Sequence, residues 1–143
     1  MAKRSIHERG QSLVEIALVV PILLVLFLGI AEVGFFLFSH VQVANATRSG
    51  ARVGSLCRLN ENCATLSTAV QNAVYTEAQS LKMNGSNAKV VTLPANPGTI
   101  PAIGTPITVT VTYTHTSPFI SQLVPMFPKQ LPIQHQVVMR FDR

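Results

Sequence analysis

Arg9-Gly10-Gln11-Ser12-Leu13-Val14-Glu15 decides how this chain is read, together with the apolar run over residues 16–31 behind it. A short basic leader ends at a glycine, and five residues later a single glutamate precedes a membrane-length hydrophobic segment. Residues 13–31 number 19, about 28 Å of helix at 1.5 Å each, close to the thickness of a hydrocarbon core. Glu32 interrupts the run at what would be the far interface, and Phe35, Phe36 and Phe38 follow at headgroup depth. Pro21 removes one backbone bond and is expected to kink or loosen the helix.

Glu15 is the informative side chain. A carboxylate at the start of a hydrophobic helix is costly in lipid unless it is paired. One reading leaves it at the inner headgroups, in the first helical turn, where the helix dipole favours it. The sharper reading has the leader removed after Gly10, so that Gln11 becomes a new N-terminus. Its ammonium, on this chain or a neighbour, then neutralises Glu15 and sets the register of helices packed side by side. A secretory signal fits less well. Ala44-Asn45-Ala46 has the small-residue cleavage pattern, but the apolar run before it is too long and contains Glu32. An anchor that is never cut remains the alternative.

Two of the five net positive charges lie in the first ten residues, where Lys3, Arg4 and Arg9 outweigh Glu8. Positive-inside counting puts that end in the cytoplasm and residues beyond about 40 outside; Arg48 and Arg52 weigh weakly against this. The other cations are scattered, and with no Trp and only 2 Tyr nothing points to nucleic acid.

After Phe38 the helix continues into more polar sequence. Ala46, Gly50 and Gly54 recur every fourth residue as a small-residue stripe suited to close helix packing. Of the two glycines, one is expected to pack and Gly54 to end the helix as a cap. Cys57 and Cys63 close a short hydrophilic loop whose length suits a structural disulfide, and an extracytoplasmic location would preserve it. Free thiols are the alternative. Spacing argues against a redox pair or a zinc site.

Residues 64–83 predict an amphipathic helix, with Leu66, Ala69, Val70, Ala73, Val74, Glu77 and Leu81 on one face. Asn84-Gly85-Ser86-Asn87 stops it. Three strands are predicted beyond: residues 89–93, 107–114 and 134–141, the last two antiparallel. Ile107, Val109, Val111 and Tyr113 form one face of the central strand, and threonines form the other. The apolar loop over residues 118–132 is expected to cover the sheet, or else to offer a contact surface.

The sequence from Arg9 through Ser55 resembles the TadE-like family, minor pseudopilins of bacterial tight-adherence (Tad/Flp) pilus systems. The resemblance rests on the stretch already quoted, on Pro21, on Gly29-Ile30-Ala31-Glu32-Val33-Gly34 and on Ala46-Thr47-Arg48-Ser49-Gly50-Ala51-Arg52. Ile16 stands where the family often has an aromatic. The resemblance implies cleavage between Gly10 and Gln11 by a prepilin peptidase, with Glu15 guiding processing and assembly. It also implies a major pilin, a sister pseudopilin and a membrane assembly platform as partners.

His7, His40, His115 and His135 have no metal-ligand spacing, and the only acids beyond the first helix are Glu61, Glu77 and Asp142. That set is too short for acid–base chemistry or a triad. The expectation is therefore no enzyme, no cofactor, no metal and no small-molecule substrate. The predicted architecture is α+β and pilin-like, with a leader (1–10), a membrane helix and its extension (11–55), and an extracytoplasmic domain (56–143). The chain would sit in the bacterial inner membrane, spanning it once. The rival reading is an uncleaved single-pass anchor carrying a binding domain.

Overall fold

The structure, a computed structural model, describes residues 6–56, 65–94, 101–117, 119 and 128–141. Helix α1 spans Ile6–Ser55, 50 residues, with Pro21 inside it; at 1.5 Å per residue it is about 75 Å long. Helix α2 spans Leu66–Glu77 and is followed by a 3-10 turn, Gln79–Leu81. Three strands follow, β1 (Ala88–Leu93), β2 (Pro106–Thr116) and β3 (Gln130–Arg140). They form an antiparallel sheet in the order β1-β2-β3. This is the predicted α+β architecture, with a long apolar N-terminal helix, one further α-helix and an antiparallel sheet.

β-Branched residues and alternation build the sheet. Val90 pairs with Val111, Val111 with His135 and Tyr113 with Ile133. Ile107, Val109, Val111 and Tyr113 are buried, whereas Thr108, Thr110, Thr112 and Thr114 are half-buried on the opposite face. The strands run longer than their hydrophobic pattern suggested. β3 begins at Gln130, inside the stretch expected to be loop, because β2 continues to Thr116 and offers it a partner. Pro132 is accommodated because β3 is an edge strand.

The C-terminal half of α1 and α2 lie on the apolar face of this sheet. Val43, Ala46, Thr47 and Ala51 of α1 meet Leu66, Val70 and Val74 of α2 over Ile107, Val109 and Val111. Full burial of each valine, leucine or isoleucine contributes about 1.5–3 kcal/mol. Thr47 satisfies its buried hydroxyl by donating to the Val43 carbonyl at 2.7 Å, a back-bond compatible with helix.

Both glycines of the small-residue stripe pack closely. A Cβ on Gly50 would lie 2.6 Å from Val74 Cγ2, and one on Gly54 would lie 2.5 Å from Ile107 Cδ1. Gly54 is not a cap, since α1 continues to Ser55; the space it leaves is taken by Val70 and Ile107. The buried stripe of α2 is narrower than expected: Leu66, Val70 and Val74 are buried, whereas Ala69 and Glu77 are exposed.

The second helix is also shorter than its periodicity predicted. Lys82 adopts a left-handed conformation, φ 48°, and the following Asn-rich turn supplies its own bonds. Asn84 Oδ1 accepts from the Ser86 and Asn87 amides at 3.0 and 3.1 Å, and Asn87 Nδ2 donates to the Lys82 carbonyl at 3.2 Å. Such side-chain-to-backbone bonds compete with helix.

Candidate membrane helix and its junction with the domain

Side chains 11–27 of α1 are all exposed, and most are large and apolar, including Leu13, Ile16, Leu18, Leu23 and Phe27. Among the described residues this is one helix long and apolar enough to cross a membrane. No domain surface covers it, so lipid is the environment that its side chains fit. Gln11 and Glu15 are exposed one turn apart and line a common groove with Val14, Leu18 and Val19. The backbone is helical on both sides of the Gly10–Gln11 bond.

Glu32 is not simply an acid at an interface. It is only 5% exposed, and its Oε2 accepts a hydrogen bond from the Phe119 amide at 3.2 Å. Phe119 also sets its ring against Phe35, with centroids 6.3 Å apart. The chain leaving β2 is thus fastened to α1 where the uncharged run ends. Oε1 of Glu32 is buried without a partner among the described residues.

One turn further along α1, the structure assembles a group that the sequence reading left scattered. Ser39 donates its hydroxyl hydrogen to the Phe35 carbonyl at 2.9 Å, and its Oγ lies 3.0 Å from His115 Nδ1. Phe36 meets the His115 ring edge-on at 5.8 Å. The His40 and His135 rings pack at 74° with centroids 4.9 Å apart. Burial, then the nearby charges of His40 and Arg48, hold the His135 imidazole below its ordinary value. Period-two alternation could have found two of these residues: His115 continues the core face 107, 109, 111, 113, and His135 follows Ile133 on β3. Among the described residues no group of three or more His, Cys, Asp or Glu is arranged to hold a metal.

Arg48 and Arg52 are exposed on the C-terminal part of α1. The predicted Cys57–Cys63 disulfide lies outside the described residues, as does most of the apolar loop.

The molecule so defined is a helix of membrane-spanning length continuous with a small helix-on-sheet domain. Residues 10–52 match the family model of TadE-like protein, less than a third of the chain. The matched region begins at Gly10 and contains Glu15, Glu32 and the stripe through Gly50. The curated proteins and solved structures compared with the chain contain no match.

Proposed function

We propose that this chain is a pseudopilin-like subunit of a Tad/Flp-type pilus assembly or secretion system, processed after Gly10 and acting in pilus biogenesis. The observation that carries the reading is the family match over residues 10–52, coincident with a helix whose membrane half is bare and whose outer half belongs to a folded domain. Its work is mechanical rather than catalytic. The apolar helix holds the subunit in the bacterial inner membrane, N-terminus cytoplasmic and domain periplasmic. On assembly, lipid contacts are exchanged for helix–helix contacts. A prepilin peptidase frees the Gln11 amine, and this amine and Glu15 set the register. The domain presents its surface to the major pilin, a sister pseudopilin and the assembly platform.

Their placement one turn apart on one face supports a pairing of the Gln11 amine with Glu15. Glu15→Leu tests it. The variant should insert in the membrane normally and fail to support piliation. Normal piliation would instead favour an anchor whose outer domain works alone.

A further inference from the structure

The junction between α1 and the sheet contains a cleft that the assembly reading does not use. It has a volume of about 400 Å³ and is lined by Phe35, Phe38 and Ser39 of α1, Ser80, His115 and Phe119, among others. That volume falls within the range of small-ligand sites. We propose that this cleft binds the headgroup of a phospholipid bearing an N–H or O–H donor, ethanolamine being the simplest; the inference rests on the membrane-anchor reading.

Position is the first argument. Phe35 stands four residues beyond the end of the uncharged run, about 6 Å along the helix axis. The headgroup layer extends about 5–7 Å beyond the hydrocarbon. The cleft therefore faces headgroups, while exposed Ile30 below it faces acyl chains.

Hydrogen-bond chemistry is the second. Ser39 has one hydroxyl hydrogen, and the Phe35 carbonyl takes it. Its oxygen must then accept from Nδ1–H of His115, at 3.0 Å. With Nδ1–H donating to Ser39, the Nε2 of an uncharged imidazole is an acceptor. That Nε2 is buried without a partner among the described residues, in a side chain 6% exposed. Glu32 Oε1, lower on α1 and outside the cleft lining, is likewise buried without a partner among the described residues. Buried acceptors are costly when unmet, and here the protein supplies more acceptors than donors. The missing group is a donor. An ethanolamine ammonium offers three N–H bonds; its trimethylated counterpart, choline, offers none.

The test uses the full-length protein, purified in mild detergent and titrated with phosphatidylethanolamine or phosphatidylcholine of identical acyl chains. Bound lipid is counted by native mass spectrometry. One phosphatidylethanolamine per chain should be retained at least about tenfold more tightly than phosphatidylcholine, the scale of a charge-assisted hydrogen bond. His115→Leu should abolish the preference. Ser80→Trp, which fills the cleft from an exposed position without disturbing the core, should abolish retention itself. Equal retention of the two lipids overturns the proposal, as does retention indifferent to Ser80→Trp. A preference for choline would assign recognition to the phenylalanine rings by cation–π contact and would overturn it too. Flotation with vesicles separates the two readings. A chain that floats with both lipids yet retains neither refutes the cleft and leaves the anchor; a chain that never floats refutes the anchor.

Discussion

At the scale of single residues, His135 couples pH to stability. His135 is held below its ordinary value of 6.5 by burial, then by His40 and Arg48. A base with a depressed native value binds fewer protons folded than unfolded as pH falls through 6.5. Its contribution is complete above that value and is lost as pH drops through 6.5 toward the folded value. In urea unfolding of the full chain in detergent, stability should decline from about pH 7.5 to about pH 5.5. His135→Gln should flatten part of that slope; an unchanged slope would remove His135 from the explanation. None of this was legible residue by residue. His40 and His135 are far apart in the chain and meet only because Val111 pairs with His135 and α1 docks across that row.

Elements were more legible than contacts. Alternation in Ile107-Thr108-Val109-Thr110-Val111 dictates which face of β2 is buried, because a strand has few ways to hide three alternating apolar side chains. The α1 stripe at 46, 50 and 54 announced a close neighbour, but not which one. The structure identifies Val70 and Val74 of α2 with Ile107 of β2. Apolar periodicity continues through Leu81, but the α-helix tightens after Glu77 into the 3-10 turn that the left-handed Lys82 closes, a change that periodicity does not register. The glycine contacts are unequal in a testable way. A Cβ on Gly50 would press on Val74, a β-branched side chain with little rotamer freedom, and would lie 3.4 Å from the Val70 carbonyl oxygen. Overpacking of this kind costs about 1–3 kcal/mol, against roughly 1 kcal/mol gained in helix propensity. Gly50→Ala should therefore lower the unfolding free energy. Gly54→Ala should be milder, since its nearest contact is the flexible end of Ile107, with Val70 Cγ2 farther off at 3.1 Å and no backbone atom close by. A reversed order in urea denaturation would contradict this packing.

For the whole molecule, the important feature is that anchor and domain share one helix. Val43, Ala46, Thr47 and Ala51 belong to the core, so force on the membrane half passes into the domain without a hinge loop. A fragment beginning at residue 56 lacks that part of the core and should not fold. One beginning near residue 32 keeps it and should give a dispersed amide spectrum. A folded 56–143 fragment would mean that the C-terminal half of α1 is dispensable. The membrane half was plain from sequence, since residues 13–31 read as a span and the structure leaves 13–27 bare. The junction was not: Glu32 looked like an interruption, and its partner, the Phe119 amide, is a backbone group with no sequence signature.

The most direct measurement is the N-terminus of the membrane-extracted protein, by intact mass, from cells with and without a prepilin peptidase. The pseudopilin account predicts a chain that starts at Gln11 only when the peptidase is present. A start at Met1 or Ala2 in both strains would contradict it and leave an uncut anchor.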